Sequence, residues 1–133
     1  MIWHSKYETG DEQIDSQHKE IFRLVESVIE TSYANAGKID SAMEFLAGYT
    51  ATHFAHEEKL MDMCKYPLSD MHKKQHYDFV ESVVGLMGRV AKESDAERNR
   101  TDIESVVVDW LADHVLGSDK IMAAHYRQWA AGQ

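Results

Sequence analysis

The sequence predicts an all-α protein, an antiparallel up-down-up-down four-helix bundle preceded by an N-terminal extended arm. Apolar residues recur at helical spacing in four segments, and no stretch alternates as a half-buried strand would. The breaks between segments are short, which sets consecutive helices side by side and antiparallel. One proline, Pro67, in 133 residues leaves long stretches free to stay helical. The length favours one domain over residues 1–133, with 1–13 as the arm and 14–130 as the bundle.

The first helix opens at Asp15 or Ser16, either a favourable N-cap, and turns Ile14, His18, Ile21, Phe22, Val25 and Ile29 inward. After the break Ala34-Asn35-Ala36-Gly37, the second carries the cleanest register: Ile39, Met43, Leu46, Thr50, His53, Glu57, Leu60 and Cys64. Lys65-Tyr66-Pro67 ends it. The third starts after Pro67 with Ser69 as cap and aligns His72, His76, Phe79, Val83, Leu86 and Val90. The polar run Lys92 to Arg100 precedes the fourth, whose stripe is Ile103, Val107, Trp110 and His114. Steps of three and four residues keep each set on one face of its helix.

Composition narrows the function. Lys and Arg total 14 against 23 Asp and Glu, a formal charge of -9, which argues against a nucleic-acid or anionic-membrane surface. A single cysteine, Cys64, forms no internal disulfide. No apolar run approaches the ~20 residues that span a bilayer. The first residues are acidic early and lack an apolar core segment, so they do not read as a signal peptide. A cytoplasmic monomer is the expectation.

Against this background eight histidines stand out. Any one on a helix seam reads as a hydrogen-bonded core residue. Here His18, His53, Glu57, His72, His76 and His114 lie on buried stripes of all four helices, toward one end of an antiparallel bundle. Burying them without compensation costs kilocalories each, and a metal site is the economical explanation. His53 and Glu57, and His72 and His76, are i, i+4 pairs that project from one face. Asp119 follows His114 at i, i+5, about 140° out of phase on an ideal helix. It joins the cluster only if the turn is loosened, as in a π-bulge, which Gly117 makes easier.

These residues resemble the hemerythrin family, in its bacterial single-domain form. The likeness rests on Ile14-Asp15-Ser16-Gln17-His18, His53-Phe54-Ala55-His56-Glu57-Glu58 with Met61, Tyr66-Pro67 leading to His72-x3-His76, and Trp110-x3-His114-x4-Asp119. Each fragment is weak alone; in this order and spacing they make a strong signal. The resemblance implies two irons. His72, His76 and His114 would hold one, His18 and His53 the other, with Glu57, Asp119 and an oxo or hydroxo group as bridges. If both irons are six-coordinate, these groups fill every position but one, on the iron held by His18 and His53. An open position separates a reactive metal site from a structural one. Iron itself rests on the resemblance, because nitrogen and oxygen donors accept several divalent metals.

The implied function is reversible O2 binding, as carrier, store or delivery agent, with no enzymatic activity. An oxygen or redox sensor module, and an enzyme reducing peroxide or nitric oxide, are the rival readings. An apolar O2 pocket would be formed by Ile21, Trp110 and Val115, with Gly117 widening its entrance. His4, His56 and His125 fall outside the ligand pattern, and Glu58 reads as solvated. Cys64 reads as a small buried thiol, and Met61, Met63 and Met71 as core filler.

Overall fold

The computed structural model describes residues 2–92 and 95–133, so Glu93 and Ser94 of the expected polar break lie outside the described residues. It is an all-α four-helix bundle, with no strand among the described residues. Helix α1 is Glu12–Ala34, α2 is Ile39–Met63 and α3 is Ser69–Val90. Helix α4 (96–131) runs through Ala96–Ile103, Asp109–His114 and Lys120–Ala131, with π turns at Glu104–Val108 and Val115–Asp119 between them. Helix α2 packs between α1 and α3, and α4 closes the bundle against both α1 and α3.

The stripes of α2 and α3 are buried as their spacing predicts, Ile39 to Cys64 and His72 to Val90. Below the site, Val25, Met43, Leu86, Ile103 and Val107 form the centre of a large apolar core. On α1, Leu24 and Val28 join the core, while Ile29 is only partly buried.

Two helix starts differ from expectation. Helix α1 begins at Glu12, three residues before Asp15, because Asp11 is the cap: its side chain accepts from the Ile14 amide at 2.8 Å. Asp15, inside the first turn, turns back to the arm and accepts from the Thr9 amide at 2.8 Å and the Thr9 hydroxyl at 2.7 Å. Gly10, at φ +90°, makes the corner between them. Helix α4 starts inside the polar run, capped by Asp95, and buries Asn99 fully. Ser69 is the first residue of α3 but makes no side-chain cap; the turn before it is closed by the Ser69 amide donating to the Tyr66 carbonyl at 3.1 Å.

The arm is not merely extended. Ser5–Tyr7 forms a 3-10 turn, and Trp3 and Tyr7 pack their rings against Phe22, with centroids 5.4 and 4.9 Å away. Val115 completes that small cluster. Cys64 is buried at the end of α2, as expected. Met61 is buried too, but Met63 and Met71 are about half exposed, because both sit at the α2–α3 turn, outside the inward stripes.

Candidate metal centre

The seven polar residues singled out in the sequence converge at one end of the bundle. His18 comes from the start of α1, His53 and Glu57 from the end of α2, His72 and His76 from the start of α3, and His114 and Asp119 from the second half of α4. All seven are buried, with His114 the most accessible at 6 %. The Val115–Asp119 π turn supplies the loosening that Asp119 needs, and this carboxylate is 1 % exposed.

Each carboxylate straddles two sets of imidazoles. Glu57 Oε1 lies 3.1 Å from His72 Nε2 and 3.0 Å from His76 Nε2, while its Oε2 lies 2.8 Å from His53 Nε2 and 3.5 Å from His18 Nε2. Asp119 Oδ1 lies 3.1 Å from His72 Nε2 and 3.0 Å from His114 Nε2, while its Oδ2 lies 3.0 Å from His18 Nε2. Two groups of converging donor atoms result, each within 4.8 Å of one another: His72, His76, His114, Glu57 and Asp119 in one, His18, His53, Glu57 and Asp119 in the other.

Close as these atoms are, most make no aligned hydrogen bond. Nε2 of His18, His53, His76 and His114, Oε2 of Glu57 and Oδ1 of Asp119 are all buried without a hydrogen-bond partner. Orphaned polar atoms cost about 1–3 kcal/mol each when nothing satisfies them. A pair of cations would satisfy the whole set, so the residues fit two metal ions.

The field between them is strong. Burial alone would lower the His18 and His72 pKa values, but the close, negatively charged Asp119 and Glu57 carboxylates outweigh it and raise both to about 9. Burial pushes the Glu57 carboxyl upward, and the surrounding histidines, His53 foremost, hold it well below the usual carboxylate range. Asp119 is likewise held down, against burial and the Glu57 charge, by His114 and His18. Each pull favours the charged or metal-bound form of the carboxylates.

Around the donors, rings fix the geometry. His76 stacks on Phe54, and His114 on Trp110, with the Trp110 ring also stacked on Phe79 at 4.1 Å. Two contacts were not legible in the sequence. Glu58, expected in solvent, accepts from His76 Nδ1 at 3.0 Å, and Gln17 Oε1 accepts from His53 Nδ1 at 2.6 Å. Their only signals were adjacency to Glu57 and His18 and a place in the fragments that carry the resemblance, since the bond partners lie on neighbouring helices.

The expected pocket residues fall in two apolar clusters. Ile21 is buried in the large core, with Trp110 partly buried against it, and Trp110 stacks on the three-histidine side. Val115 is buried with Phe22 and Tyr7. Gly117 is exposed, with open space where a Cβ would stand. Of the remaining histidines, His4 is exposed and His56 half-buried. His125 donates from Nε2 to the Cys64 carbonyl at 3.3 Å and packs beside Tyr66.

Comparison with known proteins agrees with this geometry. The family model described as "Hemerythrin HHE cation binding domain" matches residues 9–126. A bacteriohemerythrin of Stenotrophomonas maltophilia is 29% identical over 98% of this chain and 86% of its own. One from Pseudomonas aeruginosa is 32% identical over 90% of this chain and 76% of its own. A myohemerythrin of Theromyzon tessulatum is 27% identical over 88% and 86%. With a buried donor set that fits a di-iron site and a family model spanning almost the whole bundle, the chain belongs to the hemerythrin family.

Proposed function

We propose that this chain is a non-haem di-iron protein that binds O2 reversibly, a carrier, store or delivery agent and not an enzyme, acting as a cytoplasmic monomer. One observation carries the reading. Glu57 and Asp119 each offer one oxygen to the His72 side and the other to the His18 side, as bridging carboxylates do.

Two irons joined by Glu57, Asp119 and an oxo or hydroxo group would supply reversible electron transfer to a small diatomic ligand. His72, His76 and His114 would hold one of them, and His18 and His53 the other. The two-histidine half has one imidazole fewer, and that deficit is the place for a ligand. Ile21, one turn after His18, and Val115, next to His114, are both 1 % exposed and keep water from this end of the bundle. Trp110 holds the His114 ring from the opposite side. Five imidazoles against two carboxylates give a less anionic donor set than the Glu-rich di-iron bundles, favouring release of bound oxygen over cleavage of its O–O bond. No helix among the described residues is long and apolar enough to cross a membrane.

The test is a visible spectrum of reduced, iron-loaded protein titrated with O2 and then purged. A coloured adduct that disappears on purging is the expected result. Irreversible bleaching, or turnover of added peroxide, would point to an enzyme. Metal analysis giving zinc alone or one metal per chain would break the di-iron assignment.

A further inference from the structure

One histidine in each half is braced from behind, and the two braces differ. His76, in the three-histidine half, donates a hydrogen bond from Nδ1 to the Glu58 carboxylate at 3.0 Å. His53, in the two-histidine half, donates a hydrogen bond from Nδ1 to the neutral amide oxygen of Gln17 at 2.6 Å. Both bonds fix the ring and its tautomer, leaving the Nε2 lone pair aimed at the shared centre. They differ in charge. A carboxylate behind an imidazole draws on the N–H and makes the opposite nitrogen a stronger donor, whereas an amide orients the ring with much less of that push.

We propose that Glu58 and Gln17 are positioning residues that act through His76 and His53 and make the two metal-binding halves electronically unequal. Glu58 adds a negative charge behind the half that already has three imidazoles, and Gln17 withholds one from the half that has two. The three-histidine half is thereby the tighter site, harder to reduce, and the two-histidine half stays electron-poor and free to exchange a ligand. The inference rests on the two-metal reading of the site. Both residues sit at the edge of the core, Glu58 with a 34 % exposed side chain, so their charge can be changed without emptying packed space.

The experiment is a Co2+ titration of metal-stripped protein by calorimetry, for wild type, Glu58→Gln, Glu58→Ala and Gln17→Glu, with circular dichroism confirming the helical fold of each. Wild type takes up two ions with unequal affinity. Glu58→Gln keeps an acceptor for His76 and removes only the charge; it should weaken the tighter site roughly 10-fold and leave the other unchanged. Gln17→Glu should tighten the weaker site and narrow the gap. In iron-loaded protein the reduction potential should rise in Glu58→Gln and fall in Gln17→Glu, shifts that a purely geometric brace would not produce.

If Glu58→Gln binds and reduces as wild type does while Glu58→Ala alone is impaired, only geometry matters and the proposal is overturned. It is overturned equally if both sites weaken together in Glu58→Gln. Wild-type protein binding fewer than two ions would instead remove the two-metal reading itself, and this proposal with it.

Discussion

The His76 imidazole lies face to face with the Phe54 ring, centroids 3.8 Å apart and planes 8° from parallel. Phe54 is buried and its edge also meets Phe79, Trp110 and His114. It therefore acts as a wall between the donor set and the apolar core. Phe54→Leu keeps the burial but loses the flat face. We expect a loss of about 1–2 kcal/mol in denaturant unfolding of metal-free protein. We also expect weaker metal binding, because His76 gains freedom. Unchanged metal affinity would show that the Glu58 hydrogen bond alone holds the ring.

Metal removal should expose a pH dependence that the loaded protein lacks. In the metal-free chain, Asp119 and Glu57 raise His18 and His72 to about 9, against an ordinary histidine value near 6.5. A group whose folded pKa is raised stabilises fully below its unfolded pKa, and that contribution is lost as pH climbs through the folded value. The thermal midpoint should therefore fall between about pH 6.5 and 9. The two carboxylates, shifted downward, act in the opposite sense and lose their contribution as the solution becomes acidic. With metal bound the cations replace the protons, and the melts should be level across the alkaline window. Parallel slopes for the two forms would contradict this account.

Gly117→Ala should stabilise the protein by about 0.5–1 kcal/mol, since a helical glycine gives way to a better helix former and the new methyl meets nothing within 4 Å. Oxygen association rates should not change in stopped-flow measurements. A slowed rate would mean that the exposed side of the π turn lies on the ligand's path after all.

Asp15→Ala removes both bonds from Thr9 to the first turn of α1. The expected cost is about 2 kcal/mol, on the scale of hydrogen bonds to a charged group. The arm should loosen first, and tryptic cleavage after the exposed Lys6 should accelerate while far-ultraviolet circular dichroism stays constant. Cleavage at the wild-type rate would show that Trp3 and Tyr7 hold the arm without it.

Sequence spacing was legible wherever one stripe decides burial. Helices α2 and α3 carry uninterrupted three- and four-residue steps, so Thr50, His53, Glu57, His72 and His76 could be placed inside before any coordinates. The start of α1 was not, because Asp11, Asp15 and Ser16 are all good caps and only the bend at Gly10 selects the first. The start of α4 was hidden in a polar run whose sole buried member among the described residues is Asn99. Glu58 and Gln17 are off-stripe residues whose partners stand on other helices, and no periodicity within one helix reveals a contact made across two.

The two π turns of α4 explain a pattern that an ordinary helix could not hold. Asn99, Ile103, Val107, Leu111, Val115, Asp119 and Ala123 are each four residues apart, and all are buried. At about 100° per residue, a four-residue step gains about 40° on the helix face, so such a row should wind more than halfway round to solvent. Each π turn takes up about one extra residue, about 100°, and resets the phase. The inserted residues thus work as gear teeth, letting a single straight line of side chains serve as core anchor at one end and acid at the other. Deleting one residue from Val115–Asp119 would leave the helix intact while turning everything after it by the same angle, and the bundle would lose either Asp119 or the Met122–Ala123 contact, never neither.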